Sequence, residues 1–425
     1  MSPINRRTFL GATGALALAS KSSLASPNDR VRVAIVGLRN RGSELANEFA
    51  RNKAVEVVAL CDIDDSMFAK PLQSVEKITG KAPRTEKDFR RLLDDKSIDA
   101  VVNATPDHWH ALIAVLACQA GKDVYTEKPA SHNIVEGRRM VEAARKYHRV
   151  VQLGTQRRSM THIKDAVTYV HSGSLGHVGM ARAWIHQQRK PIGFGTPSPV
   201  PPGIDYAMWQ GPAPDRPFTL NHFHYNWHWF WNWGTGEIGN NGIHGLDVAR
   251  WGLDVDAPLS VVSAGGKFVF DDDQEVPDTQ VVTFEFPHAC LVWEHRMWSK
   301  HGTEGRTFGI AFYGDKGTLV VDEKGWTVED PDGGKPSSPF NAKANDDIAA
   351  HIQNFLDAIH SRQNPSADIE TGHLSTRLCH LGNIAHRVSR KLIFNPTTES
   401  FKNDPEANSL LTRAYSLRFQ MPTQV

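Results

Sequence analysis

Five short segments near the start of the chain, taken in order, restrict its fold more than anything else in it. Val31–Val36 is an apolar, β-favouring run, and Gly37-Leu38-Arg39-Asn40-Arg41-Gly42 is a turn bounded by glycines. Ser43–Arg51 has helical character, Val55–Leu60 is a second apolar run, and Cys61-Asp62 closes it with an acid. Strand, glycine turn, helix, strand and acid predict a βαβ unit, with the acid about 20 residues past the last glycine. In such a unit the helix N-terminus supports a pyrophosphate and the acid takes ribose hydroxyls. Gly37, Arg39, Asn40, Arg41, Gly42 and Asp62 are therefore candidates for holding a dinucleotide. Arg39 stands where G-x-G-x-x-G has its middle glycine. Asp62 favours NAD because a carboxylate repels a 2′-phosphate; Arg39 or Arg41 would offset that repulsion, so NADP stays open.

The alternation continues. Ala100–Asn103 reads as a strand leading to Thr105-Pro106, and His108-Trp109-His110 opens a helix over Ala111–Ala120. Asp123–Thr126 leads into Glu127-Lys128-Pro129, then a helix over Ile134–Tyr147 and a strand at Val150–Leu153. This is a doubly wound parallel α/β domain, and such domains bind ligands beyond the carboxyl ends of their strands. Thr105, Pro106, His110, Glu127 and Lys128 all fall there. Further on, β-branched and aromatic runs at Leu259–Val269, Gln280–Phe286, Cys290–Trp298, Thr307–Tyr313 and Gly317–Val321 read as strands of a second domain. Helices return at Asp346–His360 and Thr371–Lys391, and the Pro- and Gly-rich stretch Pro191–Pro217 reads as a loop.

Composition narrows the partners. Among 425 residues, 48 Lys and Arg face 47 Asp and Glu, a net charge of +1, with no run of five like charges. A nucleic-acid partner would call for a basic excess or stripe, so none is expected. The four cysteines are scattered without C-x-x-C, which points to neither a zinc site nor a disulfide framework. Residues 1–25 carry Arg6-Arg7-Thr8-Phe9-Leu10, a weakly apolar run and Ser23-Leu24-Ala25, the pattern of a twin-arginine export signal. Its removal leaves a chain starting at Ser26 in the periplasm or another extracytoplasmic space, with no membrane attachment.

Asn221–Trp233 concentrates four of the 11 Trp, with His and Asn interleaved. In an extended strand Trp227, Trp229, Trp231 and Trp233 would share one face, as a core layer or subunit interface, or as a wall facing a glycan. The histidines at two- and four-residue spacing also suit a metal ion, but no metal is assigned.

The glycine turn, Thr105-Pro106-x-x-x-His110, Glu127-Lys128-Pro129 and the stretch Gly234–Asp247 together closely resemble the glucose-fructose oxidoreductase/inositol dehydrogenase (Gfo/Idh/MocA) family. The resemblance implies a Rossmann domain, residues 26–155, followed by an α+β domain, residues 156–425, with a large and mostly antiparallel sheet. That second domain would carry substrate and oligomer contacts, its C-terminal helices packing back on the first. The resemblance also implies Lys128 as the active-site lysine and His244 as the proton-transferring residue. Asn240 occupies a position that is Asp in many relatives, so His244 acts alone or with another partner such as Asp247. Trp227, His228, Trp231 and Asp247 are the expected substrate contacts.

The expected function is an exported, nicotinamide-dependent oxidoreductase acting on a small sugar or glycoside, with NAD held tightly and a homo-oligomer, dimer or tetramer, as the assembly. A redox-neutral, NAD-dependent glycosidase is the first alternative, since export removes the cofactor from its recycling pool. A catalytically silent sugar-binding protein, suggested by Arg39 and Asn240, is the second.

Overall fold

The computed structural model describes residues 30–329, 332 and 348–425. The twin-arginine segment and the first residues of the helix expected from Asp346 lie outside the described residues.

Six strands form the first sheet: β1 (Val31–Val36), β2 (Val55–Cys61), β3 (Arg84–Glu86), β4 (Ala100–Asn103), β5 (Asp123–Thr126) and β6 (Val151–Leu153). They lie in the order β3-β2-β1-β4-β5-β6, every pair parallel. Parallel strands are covered on both faces, which is why β1 is apolar at successive positions. Helices α1 (Asn40–Arg51), α2 (Ala69–Thr79), α3 (Phe89–Asp94), α4 (Asp107–Gln119) and α5 (Ile134–Lys146) supply the cover. Val33 and Ile35 meet Phe49 of α1, whereas Ala34 and Val36 share a core with Leu112 of α4 and Met140 of α5.

Register places the site. Val36 pairs with Cys61 on one side and Asn103 on the other, and Asn103 pairs with Thr126. The strands therefore end in one row, and the next residues, Gly37, Asp62, Ala104 and Glu127, emerge side by side. The order reverses between β1 and β4, the switch point where open α/β sheets bind ligands.

The second domain holds α6 (Thr161–His171), β7 (Val178–His186), α7 (Tyr206–Gln210), α8 (Ile243–Leu253), β8 (Ser260–Gly266), β9 (Thr279–Glu285), β10 (Cys290–Arg296), β11 (Phe308–Gly314), β12 (Gly317–Val321) and β13 (Trp326–Glu329). After α9 (Ile348–Ser361) and α10 (Ile369–Val388), β14 (Leu392–Asn395) and β15 (Ser400–Phe401) complete a nine-stranded sheet, β13-β12-β11-β7-β10-β9-β8-β14-β15. All its pairs are antiparallel except β7 with β10. One face buries Phe284, Trp293 and Phe312 against α6, α8 and α10. The C-terminal helices also reach the first domain, where Phe355 of α9 packs edge-on against Phe49 and Tyr125.

Asp247 of α8 is a brace of this second core. Arg158 grips it with two bonds of 2.8 Å, and the Ser375 hydroxyl of α10 donates a third at 2.6 Å. Its side chain is 1% exposed and that of Arg158 8%. Removing one partner leaves a buried charge uncompensated, so Arg158→Met is expected to cost about 3–5 kcal/mol, read as a drop in the urea unfolding midpoint.

Candidate active site

The strand ends open into a cavity of about 380 Å³. Its floor is the glycine turn. Gly37 has φ +83°, and a Cβ there would stand 2.7 Å from the Ala104 carbonyl oxygen. A Cβ on Gly42 would stand 1.7 Å from the Gly37 carbonyl oxygen, so both positions exclude side chains and bring α1 against the turn. Arg39 lies in ordinary extended backbone, φ −70° and ψ 166°, and carries its side chain without strain.

Asp62 reaches back from β2 to accept from the backbone N–H groups of Leu38 (2.7 Å) and Asp64 (3.0 Å). Burial pushes its pKa up to about 6 against those bonds. Glu127, at the end of β5, takes Arg41 Nε at 2.7 Å. Burial alone would raise Glu127, but Arg41 and Lys128 outweigh it and hold the carboxyl below its ordinary range.

Lys128 is the centre of charge. Its Nζ donates to the Asn240 carbonyl (2.7 Å) and to Asn240 Oδ1 (3.2 Å). Asn240 sits in a π-helical turn, Ile238–Gly242, that opens α8, a widened geometry frequent at functional sites. Its amide Nδ2 donates to Glu237 at 3.4 Å, and Arg189 donates to the same carboxylate at 3.0 Å. Burial lowers the Lys128 pKa, opposed by the fields of Glu127, Asp107 and Glu237.

Asp107, the first residue of α4, also lines the cavity. Thr235 Oγ1 donates to it at 2.6 Å, and burial pushes its pKa up to about 7. The opposite wall comes from the second domain: Trp209, His224, Tyr225, Trp227 and His228. His228 lies flat on Trp227, ring centres 3.6 Å apart, with Nδ1 on the Tyr225 carbonyl at 2.5 Å. Nδ1 is therefore the donor and Nε2 the acceptor of a ring whose pKa burial lowers to about 3.

A family model described as "Oxidoreductase family, NAD-binding Rossmann fold" matches residues 31–155, and one described as "Oxidoreductase family, C-terminal alpha/beta domain" matches residues 183–421. The chain belongs to the Gfo/Idh/MocA oxidoreductase family. Its first domain is that family's NAD-binding fold. The chain is similar to a myo-inositol 2-dehydrogenase of Thermotoga maritima, 23% identical over 358 residues, 82% of this chain and 94% of that protein. It is 38% identical to a glycosyl hydrolase family 109 protein of Stenotrophomonas maltophilia over 136 residues, 30% of this chain and 30% of that protein, so this match spans under a third of the relative's length. The WlbA dehydrogenase from Bordetella pertussis, solved with NADH and UDP-GlcNAcA, shares the fold at TM-score 0.64 and 21% identity, covering 86% of this chain and 99% of that one.

Within this Gfo/Idh/MocA frame the cavity gathers Gly37, Arg39, Asn40, Arg41, Asp62, Thr105, Pro106, Glu127, Lys128, Trp227, His228 and Asn240. Five expected residues stand outside its wall. Gly42 packs beneath the turn. The ring nitrogens of His110 meet the carbonyls of Pro129 (2.6 Å) and Thr105 (2.7 Å), so His110 shapes the turn and does not face the cavity. Asp247 is the core brace described above. Trp231 borders a second cavity. His244, in the first turn of α8, is 8% exposed with Nδ1 unpartnered; burial and the fields of Arg157 and Lys128 hold its pKa well below the ordinary value.

The tryptophan alternation does not make a strand. Asn226–Trp229 is a 3-10 turn, and Trp227, Trp229 and Trp233 enter an aromatic core with Trp209, Phe218 and Phe223. The histidines diverge: His222 bonds Tyr206 and Thr219, and His224 bonds Asp64. Among the described residues no group of three His, Cys, Asp or Glu is placed to hold a metal ion.

Asp107 and Glu237 are residues near Lys128 that motif reading passes over, although each lies inside a quoted motif, Asp107 between Pro106 and His108 and Glu237 between Gly236 and Ile238. A carboxyl raised on folding binds its proton more tightly in the folded state. Its contribution is present below about pH 4 and declines as pH rises from the ordinary 3.8 to about 7. Asp107→Asn is expected to flatten that decline, measured as the urea midpoint of the cofactor-free protein between about pH 5 and about pH 8.

Proposed function

We propose that the protein is an exported oxidoreductase that transfers hydride between tightly bound NAD and a hydroxyl carbon of a sugar or glycoside. The observation that carries this reading is the Lys128 ammonium standing in the same cavity as the glycine turn and Asp62. The residues fit the cofactor: a glycine turn under a helix N-terminus for the pyrophosphate, and a carboxylate at the end of β2 for the ribose. When bound, the nicotinamide accepts or returns the hydride.

The chain's own residues handle the hydroxyl. Oxidation removes the O–H proton as the C–H hydride leaves, so the developing alkoxide needs a cation and the proton needs an acceptor. Lys128 has three N–H groups and directs bonds to two oxygens of Asn240, which leaves one for the substrate oxygen. Asn240 accepts from lysine but takes no proton. The resemblance gives that task to His244; the cavity wall offers His228, whose Nε2 is the free acceptor. The stacked Trp227 and His228 present an apolar face for a sugar ring.

Lys128→Ala is expected to lower kcat by at least ~100-fold. His244→Gln and His228→Gln separate the two proton acceptors: the true one loses at least ~100-fold and the other stays within about tenfold, in steady-state assays on one sugar.

Redox-neutral glycoside cleavage is the second reading, supported by the 38% identity to a glycosyl hydrolase family 109 protein over the 136 matched residues. Absorbance of the purified protein reports bound NAD(H), and nitrophenyl glycosides assayed without added cofactor report cleavage. Reduced cofactor from free sugar without glycoside cleavage supports the oxidoreductase. Cleavage supports the glycosidase, and failure to bind any nicotinamide cofactor leaves only a sugar-binding role.

A homo-oligomer is supported by the outer face of the nine-stranded sheet, where Val262, Val281 and Ile393 on neighbouring strands are 41%, 41% and 49% exposed. Light scattering is expected to give a dimer or larger, and a single Val281→Lys change to shift it toward the monomer.

A further inference from the structure

A second cavity, of about 330 Å³, lies between α10, the segment Ser409–Ala414 and the Gly234–Thr235 turn. No carboxylate lines it, and two arginines do. The Arg387 guanidinium lies over the Trp231 indole, 5.4 Å from the ring centre. The Arg413 side chain is 10% exposed; its Nη1 donates to the Asn232 carbonyl at 3.2 Å, while Nε and Nη2 have no hydrogen-bond partner. Glu136 of α5 pairs with Arg413 Nε at 4.0 Å and also accepts from the Tyr415 hydroxyl. Asn133 Nδ2, on another lining residue, is buried without a partner, while His132 donates from Nε2 to the Trp231 carbonyl at 3.0 Å. Burial keeps His132 and His380 neutral, so the positive charge is that of the arginines.

Buried N–H groups are ordinarily bonded, and three unbonded ones on residues that line one cavity without a lining carboxylate, two of them on Arg413, describe a site for an acceptor that carries negative charge. The indole under Arg387 adds an apolar surface beside that charge. We propose that this cavity binds a small organic anion, its carboxylate or phosphate held by Arg413 and Arg387 and its body laid on Trp231. The site is separate from the catalytic cavity and independent of the reading given for it. One residue joins the two: Thr235 receives Asn383 Nδ2 on its carbonyl (2.7 Å) from the second cavity and donates its hydroxyl to Asp107 in the first.

The test uses the full chain saturated with NAD, so that the dinucleotide site cannot take the probes. Calorimetry at low ionic strength follows inorganic phosphate and benzoate, with glucose as the uncharged control. Binding of at least one anion is expected, weakened by about tenfold in Arg387→Gln, because an arginine-anion contact is lost. Arg387 is exposed, so its replacement leaves the fold in place, whereas Arg413 is buried beside Glu136. Phosphate binding alone identifies a phosphate site, and benzoate binding a carboxylate site that uses the indole. No binding of either probe by the wild-type protein at about 10 mM, or binding that Arg387→Gln changes by less than about threefold, overturns the proposal.

Discussion

The first turn of α4 is where the two domains are tied to one another. Four consecutive side chains each make a tertiary hydrogen bond, two of them to α7. Asp107 takes the Thr235 hydroxyl from the loop before α8, and His108 meets the Trp209 carbonyl of α7 at 2.8 Å. Trp109 donates to the Met208 carbonyl at 3.1 Å, and His110 links the Thr105 turn to Pro129. The helix starts where β4 ends, so the first three of these grips fix the substrate-domain wall at the carboxyl edge of the sheet, and His110 braces the turn beside it. The Pro-rich stretch around α7 is held a second time beyond β2, where Asp205 N–H donates to the Ile63 carbonyl at 2.9 Å and Asp65 N–H to the Gly203 carbonyl at 3.1 Å.

That docking explains the electrostatics. Lys128 is buried, and an isolated buried ammonium is costly. Glu127, Asp107 and Glu237 surround it, one from its own strand end, one from α4 and one from the turn before α8. Two of these carboxylates have a second cation, Arg41 on Glu127 and Arg189 on Glu237, while Asp107 has no ion-pair partner beyond the field of Lys128 and is pushed upward by burial. A site balanced in this way has no large excess of either sign for a ligand to answer.

Motif and spacing locate residues well wherever position depends on backbone geometry close in sequence. Gly37, Asp62, Thr105 and Lys128 all follow strand ends within two residues, and parallel register brings strand ends together without help from distant residues. The tryptophan run misled for the opposite reason. Alternation implies a strand only if neighbours are available to pair with it, and here Trp209, Phe218 and Phe223 draw three of the indoles into a core built on turns. β7 was missed because Met180-Ala181-Arg182-Ala183 lacks β-branched residues, yet it lies between β10 and β11 in the sheet, paired on both sides. Tertiary pairing overrode a weak local preference.

By itself, the sequence determined the order of most elements, the dinucleotide-binding turn and the position of Lys128, because each depends on residue type at short separation. Only the tertiary structure decided which side chains share the cavity. It turned Asp247 inward to Arg158, moved Trp231 to a second cavity, kept His244 out of the wall and added Asp107 and Glu237 to the surroundings of Lys128. The physical reason is that a buried polar group settles wherever its hydrogen-bond and charge partners lie, and here those partners come from elements more than a hundred residues apart in the chain.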